Sequence, residues 1–198
     1  MTMLACIFLL GISVGSFGLE SEDFKKELER NRTYWTFKTS YMPSTYTLCY
    51  RYRKYRNYTE TPLLLREKYE IYDDLNGTNR LRERTYWSVE TPNDGSRASN
   101  NFLFTRMRDR QNVTYNLSYW NPTQKCFVFT FNVSGVDRMH CEVNVWDALP
   151  QNDTEVSSCL TWVNSSLTSK CSFSLSYYFE NCDRPYNFTR YGITTDSY

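Results

Sequence analysis

The 198-residue chain holds a single histidine, His140, and no Cys-x-x-Cys pair. Zinc sites draw on clustered His and Cys at short spacing, so no metal is expected. The same scarcity removes the Ser-His and Cys-His pairs of nucleophilic catalysis. None of the seven glycines builds a phosphate-cradling loop, and the adjacent carboxylates Asp73-Asp74 end a strand ahead of an Asn76-Gly77 turn. Neither catalytic residues nor a cofactor are expected. The longest apolar run is Leu4–Val14, short of the roughly 18 residues that a spanning helix needs. Charge of one sign is missing too. A net charge of +1 gives nothing to draw nucleic acid or an acidic membrane. Basic residues do gather at Arg51-Tyr52-Arg53-Lys54-Tyr55-Arg56 and from Arg106 to Arg110, which we read as charged outer faces of strands.

Asparagine sequons, by contrast, are abundant. Nine Asn-x-Ser/Thr acceptors occur, at Asn31, Asn57, Asn76, Asn112, Asn116, Asn132, Asn152, Asn164 and Asn187. Chance would place about three. The density indicates a secreted glycoprotein. Residues 1–18 agree, since LACIFLLGISV is followed by the small residues Gly15, Ser16 and Gly18, as in a signal peptide. The remaining 19–198 are expected to form one domain. Removal of Cys6 leaves Cys49, Cys126, Cys141, Cys159, Cys171 and Cys182. An even set in an oxidising compartment reads as three disulfides, with fifteen pairings open.

Tyr, Phe and Trp fall in short alternating runs bounded by turn residues, the pattern of half-buried strands. Eight candidates follow: Thr33–Thr39, Thr45–Lys54, Leu65–Asp73, Leu81–Glu90, Asn101–Asp109, Asn112–Trp120, Lys125–Val133 and Met139–Asp147. Strands so spaced make an antiparallel sandwich or barrel. An immunoglobulin-like sandwich would need a Cys-Trp-Cys spacing that is absent. Helices are expected at Glu22–Arg30, where Phe24 and Leu28 share a face, and within Asp153–Leu167. Lys170–Phe179 alternates like a further strand.

A glycosylated asparagine cannot point into a core, so sequons set strand parity. Asn112 and Asn116 outward put Val113, Tyr115, Leu117 and Tyr119 inward. Asn132 outward puts Phe127, Phe129 and Phe131 inward, and Cys126, Val128 and Thr130 outside. Arg51 and Arg53 outward take Cys49 with them, leaving Tyr46, Leu48, Tyr50 and Tyr52 inside. An outward Cys141 leaves His140, Glu142, Asn144 and Trp146 inside.

A leading helix with Asp23-Phe24-Lys25-Lys26, Cys49 in the second strand, Cys126 opening the seventh and Cys141-Glu142-Val143 on the eighth resemble the tick salivary lipocalins of the histamine-binding-protein family. The resemblance spans nearly the whole mature chain. It implies an all-β, eight-stranded antiparallel lipocalin-like barrel with a short N-terminal helix and a disulfide-stapled C-terminal segment. It implies Cys49–Cys182 and Cys126–Cys159 bridges, leaving Cys141–Cys171. It also implies a secreted monomer that sequesters a biogenic amine such as histamine or serotonin and dampens host inflammation. Glu142 is carried over as the ligand's carboxylate partner and Tyr41 as a retained pocket residue. Trp146, Phe127, Phe129, Phe131 and Tyr115 supply aromatic faces for a cation.

One departure stands out. Amine-binding members carry an acid between the first two strands, whereas no Asp or Glu occurs from Asn31 to Thr59 here. A doubly charged ligand would lose a countercharge. The alternatives are an eicosanoid or fatty acid, met by Arg51, Arg53, Arg106 or Arg108, and a protein-binding immune decoy whose barrel is filled.

Overall fold

The computed structural model describes residues 21–30, 32–41, 47–55, 62–72, 80–90, 100–133, 135, 137–147, 153–167, 171, 173 and 175–176. Helix α1 (Ser21–Glu29) leads into eight long strands. These are β1 (Thr33–Thr39), β2 (Thr47–Lys54), β3 (Leu63–Tyr72), β4 (Arg80–Glu90), β5 (Asn101–Arg106), β6 (Asn112–Asn121), β7 (Cys126–Asn132) and β8 (Met139–Trp146). A 3₁₀ turn (Asp153–Val156), helix α2 (Ser157–Ser166) and the two-residue β9 (Leu175–Ser176) follow. Each strand pairs antiparallel with the next, and β1 closes the ring by pairing with both β8 and β2. The short β9 pairs with Lys38 and Thr39, beyond the three β1 residues that β2 occupies. This is a closed eight-stranded barrel of the lipocalin type.

Alternation divides the apolar side chains into two cores. Inside the barrel lie Tyr34, Tyr52, Leu65, Trp87, Phe102, Phe104, Leu117, Phe127, Phe129 and Trp146, joined by Phe24 and Leu28 from α1. Phe24 is fully buried and its ring lies 4.9 Å from Phe127, 5.6 Å from Trp120 and 6.2 Å from Trp146. Those three sit where β6 ends, β7 begins and β8 ends, so α1 plugs that end. Buried aromatic edges of this kind add to the area they remove from water. The second core lies outside the barrel, where Val156 of the 3₁₀ turn and Val163 of α2 join Trp35, Phe37, Val128, Val143 and Val145. Cys126 is bridged to Cys159 of α2, and Cys141 to Cys171 beyond it. Cys49 is disulfide-bonded as well, and its expected partner Cys182 lies outside the described residues.

Parity departs from expectation at one place. A bulge between Leu117 and Tyr119 shifts the β6–β7 register. Tyr119 therefore turns outward and stacks on Trp162 of α2, with centroids 5.5 Å apart, while Trp120 turns inward onto Phe24. A bulge reverses the alternation of every residue beyond it. A second irregularity lies between Leu48 and Arg51, around Cys49, whose φ is 57°. The fifth strand ends at Arg106 rather than Asp109, because Met107–Asp109 form a turn. Residues 1–18, and Tyr46 of the second strand, lie outside the described residues.

Candidate functional site

Ladder order sets the axis of the barrel. The β1–β2, β3–β4, β5–β6 and β7–β8 connections leave one end, and α1 fills the other. Down the inward column of β8, starting from the end away from α1, come His140, Glu142, Asn144 and Trp146. His140, Asn144 and Trp146 are buried, at 1 %, 0 % and 4 % exposure. Glu142 is half-buried, as are the inward Tyr50, Tyr69 and Tyr115. Tyr50 stacks on Tyr69 with centroids 5.2 Å apart, and Tyr115 meets Phe131 at 4.8 Å. These four inward side chains keep accessible surface in the half of the barrel away from α1. An eight-stranded barrel is just wide enough to be filled or to hold one small ligand. Here one half is filled.

Two carboxyls share this interior. Glu67 on β3 is buried, accepting hydrogen bonds from Tyr52 Oη and from Trp87 Nε1, the latter at 2.9 Å. Burial pushes its pKa up, while those two donors and the Arg106 charge pull it back. Glu142 is pushed up to about 8, first by burial and then by the Glu67 charge, with the Asn144 side chain acting against both. No ion pair to Glu142 occurs among the described residues. Tyr34, Tyr52 and Tyr115 all feel both carboxylates, and burial plus those charges hold their phenols protonated. An interior charge costs several kcal/mol unless it is paired. The barrel therefore keeps Glu142 as a neutral acid at pH 7, and a cation beside it would ionise it.

Several polar atoms inside the barrel lack partners. Thr36 Oγ1 donates to Asn144 Oδ1 at 3.0 Å, while Asn144 Nδ2 makes no hydrogen bond. Trp120 Nε1, Trp146 Nε1 and His140 Nε2 are buried and unpartnered too. Burial lowers the His140 pKa, and the nearby Arg138 charge adds to this, so the ring is neutral at pH 7. Its Nδ1 lies 3.5 Å from Ser40 Oγ, and its ring faces Tyr41 at 4.9 Å and Phe131 at 5.7 Å.

The residues named from sequence thus divide. Glu142, Tyr115, Phe131 and Tyr41 meet in the half away from α1. Phe127 and Trp146 pack against Phe24 in the plugged half, and Phe129 bridges the two, 5.8 Å from Phe24 and 5.2 Å from Tyr115. Glu67 was missed by sequence reasoning, although Leu65, Glu67 and Tyr69 share one parity of a recognised strand. Of the cations considered for an anionic ligand, Arg51 lies outside, 5.0 Å over the Trp35 ring. Arg53 shares its parity, and Arg108 is exposed. Arg106 shares the inward parity of Phe102 and Phe104, opposite Trp87 in register, with its guanidinium 5.6 Å over the Trp87 ring and held by Asp109 at 2.8 Å. Among the sequons, Asn112, Asn132 and Asn164 are exposed. Asn116 is half-buried and donates to Asn101 Oδ1 at 2.8 Å. Asn31, Asn57, Asn76, Asn152 and Asn187 lie outside the described residues. Among those described, no group of three or more His, Cys, Asp or Glu could hold a metal ion, and no helix is long and apolar enough to cross a membrane.

No family model and no curated protein matches the sequence. Among solved structures, japanin from Rhipicephalus appendiculatus bound to cholesterol aligns with a TM-score of 0.47 and 13% identity. That alignment covers 66% of this chain and 86% of japanin. Lobster apocrustacyanin A1 aligns with a TM-score of 0.48 and 11% identity, over 79% of this chain and 86% of that one. At these scores neither alignment adds to the barrel read from its own ladders.

Proposed function

We propose that the chain is an extracellular carrier that holds one small amine inside its barrel. The ammonium group would sit between Glu142 and Glu67, with the Tyr34, Tyr52 and Tyr115 rings around it. The observation that carries this reading is the pair of interior carboxyls, one of them without any cation partner among the described residues. A buried acid of this kind weakens the empty barrel and gains most from a cationic guest. Aromatic faces add cation–π attraction. Glu67 also supplies the second countercharge that the loop between β1 and β2 lacks, which restores a doubly charged amine as a candidate. The two bridges to α2 and the segment beyond it fit an oxidising compartment. With the resemblance to tick salivary lipocalins, the biological role would be to sequester a host mediator such as histamine or serotonin. An anionic lipid fits less well, because Arg51 and Arg53 lie outside the barrel and the inward Arg106 is held by Asp109 and already acts on Glu67.

Native mass spectrometry of the secreted, deglycosylated protein, offered histamine, serotonin, arachidonic acid and a leukotriene together, tests the reading. One amine adduct per chain, lost in Glu142→Gln, is expected. A lipid adduct indifferent to that substitution would contradict it.

A further inference from the structure

The outward face of β2, β3 and β4 carries cations that the interior chemistry does not use. Register places Arg51 opposite Lys68 and Lys68 opposite Arg84. Along the same strands, Arg53 lies opposite Arg66. With strands about 4.8 Å apart and alternate residues about 7 Å apart along each strand, five charges form two rows on a strip about 10 Å wide. Arg84 is exposed and the other four are half-buried. Like charges directly opposite each other work against strand pairing. The whole chain carries only +1, and the next register pair on this face, Glu70 opposite Arg82, adds one acid beside Lys68. The notable clustering in the β2 sequence is therefore not confined to one strand: β3 and β4 continue it.

A second observation concerns the sugars. Sequons lie within β6 (Asn112 and Asn116), β7 (Asn132) and α2 (Asn164), and none lies within β2, β3 or β4. Glycans on β6, β7 and α2 would cover the far side of the barrel, while near these three strands the sequons fall in sequence only between them, Asn57 between β2 and β3 and Asn76 between β3 and β4. Aromatic rings flank the charges: Trp35 lies beneath Arg51, and Tyr86 extends the row of Arg53 and Arg66.

We propose that this face binds a linear sulfated polysaccharide of the glycosaminoglycan class. Guanidinium groups grip sulfate much as they do phosphate, through paired N–H donors. A strip two charges deep on a curved wall follows one extended chain better than a flat bilayer. An oxidising extracellular setting supplies sulfated chains rather than nucleic acid. Such binding would hold the carrier in the matrix around its site of release, independently of what occupies the barrel.

The test titrates the full-length secreted protein with a heparin octasaccharide and with the same oligosaccharide fully desulfated. Binding of the sulfated chain alone is expected. With about five contacts it should weaken by about a hundredfold from 50 to 200 mM salt, as counterion release requires. Arg53→Ser with Arg66→Ser should weaken it by roughly tenfold or more, and Lys68→Gln with Arg84→Gln should do likewise. Arg108→Ser with Arg110→Ser removes equal charge from the β5–β6 turn and should change little. Near-ultraviolet circular dichroism reports that each variant is folded. No binding at low salt, equal binding of the desulfated chain, or equal loss in all three double variants would overturn the proposal. So would equal affinity for phosphatidylserine vesicles or single-stranded DNA.

Discussion

Replacing Glu142 with glutamine keeps the side chain's shape and removes its titration. The folded barrel pushes this carboxyl from 4.5 up to about 8, so at pH 7 the folded state holds a proton that the unfolded chain has released. Because the pKa is raised on folding, the contribution is whole below about pH 4.5, fades as pH rises and is gone above about pH 8. Linkage makes the loss at pH 7 about 3 kcal/mol relative to acid conditions. Glutamine has no such loss. The ligand-free variant should therefore be more stable than the parent at pH 7 by up to that amount, or roughly 6–12 °C in Tm for a chain of this size. Its stability should also fall less between about pH 5 and pH 8, where the raised Glu67 still lowers stability and the depressed His140 raises it as pH increases. Thermal unfolding of the deglycosylated, disulfide-intact proteins, followed by near-ultraviolet circular dichroism across that range, measures both effects. Parallel Tm curves for parent and variant, or a variant less stable at pH 8, would refute the reasoning.

Phe24→Ala removes the ring that plugs the barrel and should cost about 3–5 kcal/mol, read as a lower urea midpoint. Replacing Cys126 and Cys159 together by serine releases a bridge of sequence separation 33 and should cost about 3–4 kcal/mol. Trp162→Ala breaks the stack on Tyr119 outside the barrel. It should speed proteolysis within residues 153–167 while leaving amine affinity within about twofold, because packing terms of this size act locally.

Strand positions were legible because Tyr, Phe and Trp alternate with polar residues, and a period of two is a local property. Sequons helped for β7, where Asn132 outward correctly implied Phe127, Phe129 and Phe131 inward. Local reading failed at Ser118. Nothing in Asn-Leu-Ser-Tyr-Trp marks a bulge, which arises from how β6 must bend to follow β7 and meet α2, so Tyr119 and Trp120 exchanged faces. The candidate site was half legible. Glu142 stood out by its inward parity beside aromatic residues. Glu67 did not, because a glutamate in Leu-Arg-Glu-Lys-Tyr-Glu resembles any charged strand until its parity is fixed by the register with Tyr52 and Trp87. Nor could alternation reveal that α1 fills one half of the barrel and leaves Glu142 in the other. That depends on Phe24 meeting Trp120, Phe127 and Trp146, which are nearly a hundred or more residues away.

Isothermal titration calorimetry of histamine and serotonin at pH 7, repeated in buffers of differing ionisation enthalpy, tests the central claim most directly. An ammonium group seated at Glu142 must displace the proton held by a carboxyl pushed up to about 8, so most chains should release one on binding at pH 7. One amine bound per chain with most of one proton released is expected, and neither in Glu142→Gln. Stoichiometric amine binding without proton release, or no amine binding at all, would contradict it.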